Sequence, residues 1–323
     1  MKIAIVGAGA IGAFLGAKLA LAGEDIYLIA RGPHLQAMQA NGVRVRSPEG
    51  NFEAHPTATH DYESIGPVEY VFLTVKAHSL TAIAPSLAPL LGPDTAVVSA
   101  QNGIPWWYFI GHGGPFDGSS IESVDPGGVI AQAIDSSRVI GCVVYPSTVI
   151  VEPGVIEHIE GNRFSIGELD GTSSERCKRL AASLIGAGLR APIRGHIRHD
   201  MWIKLLGNVV FNPMSALTGA TLVEMATHPE SSDIVRAVMA EADAVAEGLG
   251  VRLPLTIDQR MDGARKVGAH KTSMLQDLEA GRPMELESVV GVVIELGEKL
   301  GLPMPHTRTL YSCARLLDQV RTQ

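Results

Sequence analysis

Lys204, Asn208 and Asn212 recur at intervals of four in "KLLGNVVFN", inside an otherwise apolar stretch. An α-helix turns about 100° per residue, so these three side chains form one narrow polar line. Trp202, Ile203, Leu205, Leu206, Val209, Val210 and Phe211 crowd both sides of it. A solvated helix face usually mixes charges of both signs, with Glu–Lys pairs among them. This line has one cation, two amides and no acid. It reads either as an ordinary wet face or as a lysine and two amides facing an enclosed site that a ligand completes. The second reading has a definite chemistry. A preplaced ammonium stabilises negative charge on a bound ligand's oxygen and can supply a proton. Amides hydrogen-bond a hydroxyl or carboxylate without adding charge.

A second constellation opens the chain. "KIAIVGAGAIG" sets Gly7, Gly9 and Gly12 directly after a predicted strand and before a predicted helix, with Ala8, Ala10 and Ile11 completing the loop. The first glycine permits the tight turn, the second admits a pyrophosphate against the backbone, and the third lets helix and strand approach. The next strand ends "YLIARG", so Arg31 stands where NAD-preferring proteins carry an acid for the ribose 2′-hydroxyl. A guanidinium suits a 2′-phosphate instead, and the expected cofactor is NADP(H). "VFLTVKAHS" and "AVVSAQNG" deliver Lys76 and Gln101–Asn102–Gly103 to further strand ends, where an open parallel sheet binds its ligands. His196 and His199 have no acidic or thiol companions at zinc-like spacing, so no metal is expected.

The elements that must position these residues follow two grammars. Residues 1–194 alternate β-branched runs with short helical segments. Ile3–Val6, Ile26–Ile29, Val43–Val45, Tyr70–Val75, Ala96–Ser99 and Val139–Val144 read as parallel strands covered on both faces. Val155–His158 and Arg163–Ile166 read as an added hairpin near the sheet edge. Residues 195–323 carry helical spacing over Asp200–Leu217, Ser231–Leu249, Leu255–Val267, Glu285–Leu300 and His306–Val320, with Gly250 and Gly301 as stops. The fold class is therefore α/β, a Rossmann-type dinucleotide-binding domain followed by an all-helical domain, with an active-site cleft expected between them.

Bulk properties agree. The chain has 323 residues, 46% apolar and 19% charged, the profile of a soluble globular protein. A net charge of −8 without a basic run argues against nucleic acid as a partner. The opening run mimics a signal peptide, yet it holds four glycines from Gly7 to Gly16 and is followed by Lys18. Val139–Val151 is too short to span a bilayer and contains Pro146, so no membrane association is expected. Cys142, Cys177 and Cys313 are scattered, which fits reduced thiols in the cytoplasm.

In this combination the chain resembles the ketopantoate reductase (2-dehydropantoate 2-reductase) family: GAGAIG, Arg31, "TVKA", "QNG", "KLLGNVVFNP" and "TSMLQDLEAGRPMELE" stand in the family's order from Gly7 to Glu287. The resemblance implies NADPH-dependent reduction of ketopantoate to pantoate, on the route to pantothenate and coenzyme A. It implies Lys204 as proton donor to the substrate carbonyl, Asn208, Asn212 and Ser273 as substrate-binding residues, and Lys76 and Asn102 at positions touching cofactor and substrate. Glu285 matches an acid that supports the nicotinamide end or the catalytic lysine. Two departures bear on the substrate, namely Val290 where the family commonly shows Asn, and the insertion "IPWWYFIGHGGPFDGSSIESVDPGGV" after "QNG". The insertion's Trp106, Trp107, Tyr108 and Phe109 could line or lid a pocket, the other readings being a surface excursion or a homodimer contact. Rival functions are the same reduction of another small 2-oxo acid, and a non-catalytic NADP(H)-binding regulator.

Overall fold

The structure, a computed structural model, describes residues 1–322. The chain forms two compact units: Met1–Ser120 with Asp125–Ile197, and Ile121–Val124 with the chain from Arg198 onward.

The first unit is built from strands β1 (Lys2–Val6), β2 (Asp25–Ile29), β3 (Val43–Arg46), β4 (Phe52–Ala54), β5 (Thr57–Thr59), β6 (Val68–Leu73), β7 (Leu91–Ser99), β8 (Val139–Val144), β9 (Ser147–Glu152), β10 (Val155–Glu160) and β11 (Phe164–Glu168). Its helices are α1 (Ala10–Leu21), α2 (Gly32–Asn41), α3 (Ala77–Ile83), α4 (Val129–Ala133) and α5 (Glu175–Gly186). The main sheet runs β11-β8-β7-β6-β1-β2-β5. All its pairings are parallel except β8 with β11. Without β11 this is the doubly wound dinucleotide-binding order, in which the strand sequence reverses beside β1.

Two expectations need correction. Val43–Val45 does not join the main sheet, and Val155–His158 does not pair with Arg163–Ile166. A second sheet runs β4-β3-β10-β9, in which β10 pairs β3 in parallel and β9 antiparallel, while β11 closes the edge of the main sheet. The reason is visible in "VRVR", whose residues alternate buried and exposed. A strand covered on both faces would be apolar throughout. One face of this small sheet packs against α1, where Phe14 stacks on His158 with ring centroids 4.6 Å apart.

The insertion also differs from expectation. Trp106, Trp107, Tyr108 and Phe109 are all buried, and the Trp107 ring packs where a Cβ on Gly141 of β8 would lie, 2.8 Å from it. Their burial is not that of a surface excursion. The end of the same insertion, Ile121–Val124, belongs to the second unit, where Glu295 accepts hydrogen bonds from the Glu122 and Ser123 backbone at 3.0 and 2.8 Å.

The second unit is helical: α6 (Ile197–Thr218), α7 (Leu222–Thr227), α8 (Pro229–Gly248), α9 (Ile257–Val267), α10 (Ser273–Glu279), α11 (Val292–Lys299) and α12 (Pro305–Thr322). Gly250 and Gly301 adopt the left-handed conformation just past α8 and α11. The short helices α7 and α10 were not anticipated. The segment from Glu285 does not begin as an α-helix either, because a π-turn over Glu287–Gly291 precedes α11. Among the described residues no helix is long and apolar enough to cross a membrane.

One ion pair ties α5 to the sheet edge. Arg176 grips Glu168 through Nε–Oε1 at 2.7 Å and Nη2–Oε2 at 2.6 Å, and Ser174, which caps α5, donates to the same carboxylate. Burial alone would raise the Glu168 pKa, but the Arg176 and Ser174 hydrogen bonds outweigh it and hold the carboxyl below its usual range. The same burial, with the neighbouring carboxylate charge, pushes the Cys177 thiol up to about 12. Because the folded pKa of Glu168 is depressed, its contribution is complete above the unfolded value and is lost as pH falls through the folded one. Arg176→Ala leaves a buried carboxylate uncompensated and should cost about 3 kcal/mol at pH 7. In urea titrations the gap between wild type and variant should narrow at pH 4, and an unchanged gap would refute the electrostatic account.

Candidate active site

The sheet register levels four strand ends. Val6 lies opposite Ile29 on one side and Leu73 on the other, and Leu73 lies opposite Ser99. Gly7, Arg31, Lys76 and Asn102 follow these residues within three positions, so one carboxyl edge carries all four. That edge is where a doubly wound sheet binds ligands.

The loop glycines divide by what demands them. Gly7 has φ +98°, and a Cβ there would fall 2.5 Å from Val75. At Gly12 a Cβ would meet the Gly7 carbonyl at 2.4 Å and Thr74 Oγ1 at 2.6 Å. Thr74 Oγ1 donates to that same carbonyl at 2.8 Å, so α1, the loop and the end of β6 are clamped together. At Gly9 the nearest atom to a Cβ is the Gly7 carbonyl at 3.9 Å, and φ is −74°. Nothing in the protein itself requires glycine there. A ligand approaching the backbone would, as a diphosphate does at the second glycine of a dinucleotide-binding loop. Gly9 caps α1 without a side-chain bond and the first turn has no acid, so the amides of Ala10, Ile11 and Gly12 keep the positive end of the helix dipole.

Arg31 is exposed and stands at the N-cap of α2, two residues past β2. Tyr62 lies within its electrostatic reach: burial raises the phenol pKa and the Arg31 charge opposes the rise. His34, which no sequence motif marks, accepts a hydrogen bond at Nδ1 from the Gly154 backbone at 3.0 Å. Burial lowers its pKa against a backbone interaction with Ala8, so His34 links the glycine loop to the β9–β10 turn. Its only signal in the sequence is its place, one helical turn after Arg31. Lys76 caps α3, and Lys76 and Asn102 are both half-buried, the latter next to Gln101, whose Oε1 accepts from Ser99 Oγ at 2.9 Å.

In the second unit Lys204, Asn208 and Asn212 lie along α6. Lys204 and Asn208 are half-buried and Asn212 is 4% exposed, which is not the accessibility of a wet face. Ser215 continues the line one turn on and is fully buried. Its hydroxyl hydrogen-bonds Thr272, the residue that caps α10, and so brings Ser273 to the end of the line. Glu285 is buried at 9% exposure, and the adjacent Met284 amide donates to Asp318 at 3.2 Å.

Gly207 sits inside the same motif. A mid-helix glycine costs about 1 kcal/mol relative to alanine, so it calls for a local reason. A Cβ there would lie 2.2 Å from Arg260 Nη2 and 2.8 Å from Cζ and Nε. The bare backbone admits the guanidinium of α9 against α6. Arg260 was not singled out from the sequence, and the glycine was the available signal.

The loop glycines give a paired expectation. Gly12→Ala should destabilise the protein by about 2 kcal/mol or more, since its clash is with backbone. Gly9→Ala should cost under about 1 kcal/mol, the scale of a helix cap, yet weaken dinucleotide binding at least tenfold. Thermal unfolding and calorimetric titration with NADPH measure both, and unimpaired binding by Gly9→Ala would show that no diphosphate approaches there.

Two family models match the chain, ketopantoate reductase PanE/ApbA over residues 3–171 and its C-terminal counterpart over residues 196–318. A 2-dehydropantoate 2-reductase of Mesorhizobium japonicum is 50% identical over 318 residues, covering 98% of each chain. The solved 2-dehydropantoate 2-reductase of Geobacter metallireducens is 27% identical with a TM-score of 0.86, covering 98% of this chain and 99% of that one. A D-mandelate dehydrogenase solved with NADH and anilino(oxo)acetate shares the fold, with a TM-score of 0.86 at 20% identity over the full length of both chains. With both halves matched in order and half of all positions identical to a full-length relative, the chain belongs to the ketopantoate reductase family, oxidoreductases that act on a ketone and its alcohol.

Proposed function

We propose that this chain reduces 2-dehydropantoate (ketopantoate) to pantoate with NADPH, in the cytoplasmic route to pantothenate and coenzyme A, and that Lys204 donates the proton. The observation that carries the reading is the Lys204–Asn208–Asn212 line, withdrawn from solvent on α6, with the buried Asp200 one turn before Lys204. NADPH, when bound, supplies the hydride. The amides at the start of α1 hold its diphosphate, Arg31 pairs with its 2′-phosphate, and Lys76 and Asn102 orient its reactive end. Lys204 Nζ stabilises the oxyanion as it forms and then protonates it, leaving an alcohol. Asn208, Asn212 and Ser273 hold the substrate's hydroxyl and carboxylate, and the buried Glu285 supports the nicotinamide end.

A second reading, the same reduction of a different small 2-oxo acid, rests on Val290, fully buried in the π-turn where the family pattern commonly has Asn. The insertion with its buried aromatics is the other departure from the family pattern that bears on this reading. A non-catalytic regulator would have no use for a proton donor at 204.

Two substitutions test the assignment. Arg31→Ala removes a charge-assisted bond worth roughly 1.5–3 kcal/mol, so NADPH should bind about ten- to a hundredfold more weakly while NADH is little affected. Equal affinity of wild type for both dinucleotides would refute the role. Lys204→Ala should slow turnover by about 10²-fold or more, the scale for losing a general acid or oxyanion donor, with NADPH affinity nearly unchanged. Single-turnover NADPH oxidation at saturating ketopantoate decides it, and a wild-type rate in the folded variant would remove Lys204 from the mechanism.

A further inference from the structure

The glycine loop hangs from the end of β2, where the amides of Gly7 and Ala8 both donate to the Ile29 carbonyl, at 3.1 and 2.9 Å. Two residues further on, Arg31 caps α2, so the loop and the first turn of α2 share one joint. A joint fixes a point and leaves the angle between its arms to other contacts. At its far end α2 is tied to β5 by Gln39, which donates to the Ala58 carbonyl at 3.0 Å. At its near end the tie is His34, whose Nδ1 accepts from the Gly154 amide at 3.0 Å, 120 residues away in sequence. Gly154 stands in the turn between β9 and β10. With φ +78° it comes so close to α2 that a Cβ there would lie 3.1 Å from Ala37 Cβ, one helical turn past His34. Its carbonyl accepts from the Arg44 amide of β3 at 2.9 Å, which pins the turn to the small sheet. An acceptor at Nδ1 fixes the neutral tautomer, with the ring proton on Nε2. Nε2 is buried without a hydrogen bond of its own, and the Ala8 backbone is within its reach. The imidazole therefore stands between the β9–β10 turn and the glycine loop.

A dinucleotide site depends on that angle. The loop's amides must point at the diphosphate together, and amides fixed in the backbone cannot follow a shift, whereas the long, exposed side chain of Arg31 can. We propose that His34 is a positioning residue for the dinucleotide: bonded to Gly154, its ring holds the glycine loop in register with the first turn of α2. The small sheet is then part of the cofactor site and not only a cover for α1. The proposal rests on the dinucleotide lying against the glycine loop, as argued above. NADPH and NADH share the diphosphate that this loop serves, so loss of the brace weakens both alike, whereas loss of Arg31 separates them.

Calorimetric titration of the full-length protein with each dinucleotide tests it, with thermal unfolding as the check that each variant is folded. His34→Ala should weaken NADPH and NADH about tenfold each, the loss expected for one buried hydrogen bond. Turnover at saturating NADPH and ketopantoate should stay within about twofold, since the reacting groups are untouched. His34→Leu keeps the bulk of the ring without an acceptor and should bind as weakly as His34→Ala; it also serves if alanine leaves the chain unfolded. His34→Asn returns an acceptor to the Gly154 amide and should recover most of the affinity. A role in packing alone would rank leucine above asparagine. Gly154→Ala strains the turn and reaches the same contact from the other side, so it should weaken both dinucleotides with His34 intact. Wild-type affinity in His34→Leu, no recovery in His34→Asn, or a loss confined to NADPH overturns the brace and leaves the reductase reading standing. A wild type that binds neither dinucleotide overturns both.

Discussion

The first unit depends on how closely α1 approaches the strands beneath it. The helix is apolar almost all round, "AIGAFLGAKLAL", and its residues from Gly12 to Ala17 are buried without interruption. Such a helix cannot lie on a surface and needs cover on both sides. The main sheet covers one side, and approach there is set by Gly12 against the Gly7 carbonyl and Gly16 against Leu28, where a Cβ would lie 2.4 Å from its neighbour in each case. The small sheet β4-β3-β10-β9 covers the other, with Phe14 between Phe52 and His158. Held this way, α1 aims its free amides at the carboxyl edge of the sheet. The same constraint explains why the opening residues look like a secretory leader: an apolar run with small residues is what a helix buried on all sides requires.

The helical unit meets a different demand, to keep polar groups in a fixed row within an apolar helix. Burying Asn212 and Ser215 is tolerable only if they are hydrogen-bonded. The Ser215–Thr272 bond satisfies one of them, and the same Thr272 hydroxyl caps α10 by accepting from the Leu275 amide, so the end of the polar row and the start of the next helix are set together. Gly207 serves the same row by admitting Arg260. The row is not purely cationic, since the buried Asp200 stands one turn before Lys204 on α6.

What could be read from the chain alone follows from local periodicity and from loops whose chemistry is carried by backbone. The glycine loop, Arg31 at a strand end, the four-residue spacing of Lys204, Asn208 and Asn212, and the change from strand to helix grammar are all short-range patterns, and the α/β architecture followed from them. Lys76 and Asn102 were legible because a parallel sheet brings its strand ends level, a rule that needs only strand identity. Tertiary structure decided what depends on partners distant in sequence. Val43–Arg46 and Val155–Glu160, more than a hundred residues apart, pair into a second sheet because α1 needs cover on its outer face, and that demand exists only once α1 is docked. Trp107 of the insertion is buried where Gly141, on a later strand, leaves room for its ring. Arg260 joined the row on α6 for the same kind of reason: a glycine in a helix announces that something approaches, but only the packing of α9 says that it is a guanidinium.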